Sequence, residues 1–121
     1  MILKELILSM NEDEMICIGA KTGFLYFGTV DHFLDIKDKI NKRCKKYLEE
    51  CITRYKRELK RNDYSERTKL NLAKMRKEAS DFVPIELREV RESYKRMAGD
   101  TAILITGFEM GVMLPEEIRY E

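Results

Sequence analysis

Tryptophan is absent from the 121 residues, histidine occurs once, proline twice and glycine six times. With His32 as the only imidazole and no Cys/His cluster, a histidine-based metal site is not expected. The sparse glycines form no phosphate-cradling loop, and neither a nucleophile elbow nor a zinc-protease helix is present. No apolar run approaches the roughly 18 residues of a membrane span. Three cysteines, Cys17, Cys44 and Cys51, are an odd number without metal-ligand or redox spacing. Cys44 and Cys51 are separated by about 10.5 Å along a helix, too far to bond. They read as small buried thiols of a reducing compartment. Met1 leads directly into Ile2-Leu3-Lys4-Glu5 without a secretory pattern, so a soluble, cytoplasmic protein is expected, with no membrane contact.

Charge is plentiful, at 37% of residues, yet sums to only +1. That near-neutrality hides two opposed regions. Between Lys37 and Glu78 there are 16 Lys/Arg against 7 Asp/Glu, a balance of +9, and the remainder carries −8. Such asymmetry marks a surface for nucleic acid or an acidic partner, or the solvated outer face of long helices.

Local patterns place the elements. Leu3, Leu6, Ile7 and Met10 have helical spacing, and the acidic stretch Asn11–Glu14 breaks that helix. Met15–Gly19 and Phe24–Phe27 read as a β-hairpin around Ala20–Gly23, with Gly23 supplying the turn. Asp31 is the expected N-cap of a long helix. Its apolar seam runs Phe33, Ile36, Ile40, Cys44, Tyr47, Cys51, Tyr55, Leu59, joined by Leu48 and Ile52. The opposite face carries Lys42, Lys45, Lys46, Lys56, Arg57 and Lys60, interrupted by Glu49 and Thr53. A break at Asn62-Asp63, with Asp63 and Glu66 as a capping box, predicts a second helix. That helix buries Leu72, Met75, Ala79 and Phe82, turns Lys69, Arg76 and Lys77 outward, and ends before Pro84.

Beyond Pro84, Leu87, Val90, Tyr94 and Met97 have helical spacing, with an extended segment as the alternative. Ala102–Thr106 reads as a strand, Gly107–Gly111 as a turn and Val112–Leu114 as a returning strand, followed by an acidic tail after Pro115. The expected architecture is a single α+β domain over 1–121. Residues 1–30 give a helix and the first hairpin, 31–83 a basic helical-hairpin insertion, and 84–121 the second hairpin. The two β-hairpins form one small antiparallel sheet, since neither is stable alone.

A short helix, an acidic break, a strand ending in Ala-Lys-Thr-Gly and a helical middle precede Leu87-Arg88-Glu89-Val90, Tyr94 and Ile103–Gly111. In this the chain resembles small uncharacterised proteins encoded by phages and prophages of Gram-positive bacteria. The resemblance covers the two ends, about half of the chain. It implies an extended segment around Arg88–Tyr94 and no established activity.

Candidate chemistry is sparse. His32 beside Asp31 has the types of an oriented base, but a helix start favours a capping or surface role. Glu12, Asp13 and Glu14 read as solvated acids in a turn. Catalytic residues, a metal and a cofactor are therefore not expected. The leading expectation is a non-catalytic interaction or assembly protein, self-associating through its helices into a homo-oligomer. The alternative is a weak, sequence-tolerant nucleic-acid binder. Its contacts would be Lys42, Lys45, Lys46, Lys56, Arg57 and Lys60, helped by Lys69, Arg76 and Lys77, and the same residues would serve an acidic protein partner. Tyr47, Tyr55 and Tyr64 are candidate stacking platforms, with core packing favoured for Tyr47 and Tyr55 because they lie on the seam.

Overall fold

The chain alternates short sheet elements with one very long helix, and the computed structural model describes residues 1–20, 23–61 and 66–107. Helix α1 (Leu3–Leu8) buries Leu3 and Ile7, one turn apart on the same face. Strands β1 (Met15–Ala20) and β2 (Gly23–Thr29) pair antiparallel, from Met15 opposite Thr29 to Ala20 opposite Gly23. Helix α2 (Val30–Arg61) follows without a linker, and its 32 residues extend about 48 Å. Helix α3 (Glu66–Ser80) packs against it, burying Leu72 and Met75. A 3-10 turn at Ile85–Leu87 leads into β3 (Val90–Lys95), which pairs antiparallel with β4 (Thr101–Ile105).

The architecture is thus α+β, but the sheet is mixed. Its order is β2-β1-β4-β3, and the central pair β1 and β4 run parallel, Cys17 opposite Ala102 and Ile18 opposite Ile103. The expected all-antiparallel sheet is corrected on this point. The two hairpins meet through the first strand of one and the last strand of the other, and the helical insertion supplies the long connection that parallel neighbours need. Strand β4 finds its antiparallel partner in β3, ahead of it in the chain. The returning strand expected at Val112–Leu114 lies outside the described residues, as do the Asn62-Asp63 break, the Asp63 cap, Tyr64 and the acidic tail.

The segment expected as a helix over Leu87–Met97 is a 3-10 turn followed by an edge strand. Leu87, Tyr94 and Met97 are 46%, 56% and 107% exposed, so their helical spacing marks no buried stripe, and only Val90 packs on the core. A register irregularity between Val90 and Glu92 also hides the strand's alternation. The N-cap of α2 is Thr29 rather than Asp31: Thr29 Oγ1 accepts the His32 N–H at 3.2 Å. The next orphan donors of that first turn, the Val30 and Asp31 amides, bond the carbonyls of Glu14 and Glu12 at 3.0 Å. The acidic stretch thereby receives the helix start through its backbone. Phe82 lies just beyond α3, under the guanidinium of Arg88, instead of inside the helix.

One face of the sheet forms the core with the helices. Ile16, Ile18, Ala20, Tyr26, Ile103 and Ile105 pack with Phe33, Ile40, Cys44, Leu48 and Met75. The Tyr26 ring stands edge-on to Phe33 at a centroid distance of 5.2 Å. Burial raises its hydroxyl to about 12, and the hydroxyl donates to the Thr29 carbonyl at 2.7 Å. Gly28 is required by that ring, because a Cβ there would lie 2.9 Å from Tyr26 Cζ.

Arg88 is 6% exposed and holds the second hairpin to the helices. Its Nε donates to the Val83 carbonyl at 2.9 Å, and its Nη1 to Glu78 of α3 at 3.1 Å and the Thr106 carbonyl at 3.4 Å. Gly107 permits this approach: its φ is +105°, and a Cβ would overlap the guanidinium. Removing the arginine strands a carboxylate that is itself largely covered. Arg88→Met is expected to cost about 3–5 kcal/mol in urea denaturation, with less than additive loss when combined with Glu78→Gln. Additive losses would show that the two groups stand independently.

The turn joining β3 to β4 is closed by a second pair. The buried Asp100 carboxylate accepts Arg96 Nε at 2.9 Å and a further bond from Nη2. The Arg96 hydrogen bond holds the Asp100 carboxyl below its ordinary 3.8. Its folded-state value therefore lies beneath the unfolded one. The contribution is complete above about pH 4 and disappears as pH falls through the folded value. Asp100→Asn is expected to lower the thermal midpoint at neutral pH and to flatten the acid limb of a melting-temperature profile. An unchanged acid limb would exclude this carboxylate as its source.

Candidate functional site

The six basic residues of α2 occupy one stripe. At 100° per residue, Lys42, Lys45, Lys46, Lys56, Arg57 and Lys60 fall within a sector of about 120°, directly opposite the seam. Along the axis the stripe runs about 27 Å. All six are exposed. Among the described residues none of them is held in an ion pair. Lys69, Arg76 and Lys77 are likewise exposed on α3, where Lys69 sits 3.7 Å from Glu66. Such an exposed pair is worth little.

The seam faces inward. Phe33, Ile40, Cys44 and Cys51 are buried, and Ile36, Tyr47, Tyr55 and Leu59 are partly buried. The first six of the eight and Tyr55 join the same core cluster as the sheet. All three cysteines are free and buried, and burial raises the Cys44 thiol to about 12, leaving it protonated and unreactive at neutral pH. His32 is exposed at the start of α2, its ring 6.2 Å from that of Tyr26.

Two of the basic residues, Lys42 and Lys45, line a groove of about 540 Å³ between α1, α2 and the Phe82–Leu87 segment. Lys4 reaches it from α1 and Lys37 from one turn earlier on α2, while Phe82, Pro84 and Leu87 form an apolar wall. Asn41 fixes this wall to the helix. Its Oδ1 accepts the Ile85 amide and its Nδ2 donates to Glu86, both at 2.8 Å. Lys37 Nζ lies 3.2 Å from Asp38 and 3.5 Å from Glu86. The hydrogen bond to Asp38, then the nearby Glu86, raises its pKa and keeps it charged. Lys37 therefore neutralises the buried Glu86, leaving Lys4, Lys42 and Lys45 to face solvent. The groove combines surplus positive charge with an apolar wall.

Lys46 flanks the groove, whereas Lys56, Arg57 and Lys60 extend the stripe beyond it and the α3 residues stand on the neighbouring helix. Sequence reasoning missed Lys4, Lys37, Asn41 and Glu86. Asn41 and Lys37 carry a faint signal at the border between seam and basic stripe. Lys4 carries none, because only tertiary packing brings α1 to α2. No protein family, curated protein or solved structure matches the chain. No helix among the described residues is long and apolar enough to cross a membrane.

Proposed function

We propose that this is a non-catalytic binding protein, of phage or prophage type, which contacts nucleic acid through the basic layer of its helices. The observation carrying this reading is the stripe from Lys42 to Lys60, interrupted by Glu49, whose six cations lie on one side of a single helix and form no ion pair among the described residues. A stripe of about 27 Å matches the rise of about eight base pairs, so several phosphates fall within reach at once. Lysine dominates it, and lysine attracts phosphate as a mobile point charge without the planar fork that reads a base edge. Binding is therefore sequence-tolerant and governed by salt. The groove beside Lys42 and Lys45 adds an apolar wall that an unpaired base or a sugar can cover. An acidic protein surface would meet the same charges but lacks the regular spacing of a phosphate backbone.

A second reading, self-association into a homo-oligomer, remains compatible with the first. The helix seam offers it little, because most of that seam is occupied by the chain's own core. The apolar surface that supports it is on the sheet, where Phe24 and Phe27 are exposed.

Fluorescence polarisation of labelled single- and double-stranded DNA and RNA across a salt series tests the nucleic-acid reading. Engagement of about four phosphates predicts a slope of about −3 to −4 for log affinity against log salt. Lys42→Glu, Lys45→Glu and Lys46→Glu together are expected to weaken binding by more than about tenfold with an unchanged thermal midpoint. Absence of saturable binding even at low salt would contradict the proposal.

A further inference from the structure

Two features of the groove between α1, α2 and the Phe82–Leu87 segment go beyond attraction of a polyanion. The first is an apolar wall that is exposed and yet firmly built. Leu87, 46% exposed, ends the 3-10 turn Ile85–Leu87, and the half-buried Phe82 and Pro84 stand beside it. Both polar atoms of the Asn41 side chain tie this turn to α2. Pro84 restricts the backbone entering it, and the Arg88 guanidinium holds the Phe82 ring at 5.2 Å. A wall already ordered loses little freedom when a ligand covers it. The second feature is the placing of charge. Lys42 and Lys45 are three residues apart on α2, about 4.5 Å along its axis, and Lys4 lines the groove from α1. Among the described residues none of these three is in an ion pair. The two carboxylates lining the groove, Asp38 and Glu86, share Lys37, at 3.2 and 3.5 Å. Cations therefore border an apolar patch in a space of about 540 Å³, a size suited to a small organic group.

We infer, resting on the nucleic-acid reading above, that this groove seats unpaired nucleotides and makes the protein select single-stranded over double-stranded nucleic acid. A phosphate calls for cations and a base face calls for apolar surface, and a single strand offers both at every nucleotide. In a duplex the base faces are stacked on one another, so only the backbone reaches the groove and Leu87 gains nothing. The basic stripe cannot produce this selection, because the duplex has the higher charge density and releases more counterions per contact. Charge alone therefore ranks the duplex first, and a preference for the single strand has to come from its bases. An acidic peptide would meet Lys4, Lys42 and Lys45 but brings no planar apolar face beside each anion. Covering one base on the wall is expected to give about a five- to tenfold advantage, the lower end of what stacking on a protein surface supplies.

The test compares labelled DNA probes of equal length at matched salt: a short mixed-sequence single strand, the same strand annealed to its complement, and a single strand built of abasic sites. The wild type is expected to bind the natural single strand about five- to tenfold more tightly than the duplex, and to lose that advantage on the abasic strand, whose phosphates are intact. Leu87→Ser, at an exposed position, should bring the natural strand down to the abasic level while leaving duplex affinity, salt slope and thermal midpoint unchanged. The abasic comparison uses the unaltered protein and so decides the matter even if Leu87→Ser fails to fold. Equal affinity for natural and abasic strands, or duplex binding as tight as single-strand binding, would overturn the inference and leave the basic-stripe reading standing. Absence of binding to every probe at low salt would overturn both. Displacement of the strand by polyglutamate at matched charge, with the affinity of the strand itself, would overturn it in favour of an acidic protein.

Discussion

The buried guanidinium of Arg88 is the contact on which the rest of the architecture depends. An arginine taken out of water is tolerated only when its donors are used, and here they reach α3 through Glu78, the Val83 carbonyl and the end of β4 at Thr106. Phe82 lies against its flat side, 5.2 Å from ring centroid to guanidinium carbon. One side chain thereby joins three segments separated in sequence. The conformation of Gly107 and the position of Phe82 follow from its presence.

The result is a molecule with two unlike surfaces. The helical layer carries a cationic stripe interrupted by Glu49 and Thr53, and the sheet's outer face carries the exposed Phe24 and Phe27. A net charge of +1 conceals this division, because acidic residues elsewhere balance a basic middle. Within the helical layer two kinds of force are at work. The stripe acts over distance and weakens with salt, while the groove wall acts only on contact. Attraction of a polyanion and choice of its single-stranded form thereby fall to neighbouring parts of one layer.

Much of the fold was legible in the sequence where a single period dominated. The seam from Phe33 to Leu59 repeats every three or four residues against a basic opposite face, so α2 was visible in full. The first hairpin was visible because two apolar runs flank a turn. Leu87, Val90, Tyr94 and Met97 misled because their spacing suits a helix while three of the four face solvent. An edge strand with an irregular register leaves no clean alternation to read. The cap at Thr29 was hidden by the more acidic Asp31 two positions later. The basic residues could be named from sequence, but the groove could not, since Lys4 and the Phe82–Leu87 wall reach α2 only through tertiary contacts. Arg88 was indistinguishable from its exposed neighbours, because burial of a charge is decided by partners far along the chain.

The claim that the helical layer, and not the sheet, is the contact surface is tested most directly by amide chemical-shift mapping on isotope-labelled protein. A single-stranded oligonucleotide added at low protein concentration should move resonances of Lys4, Lys37–Lys46 and Phe82–Leu87 and leave β1 and β2 unchanged. Oligonucleotide shifts centred on Phe24, Phe27 and Tyr94 would contradict this account.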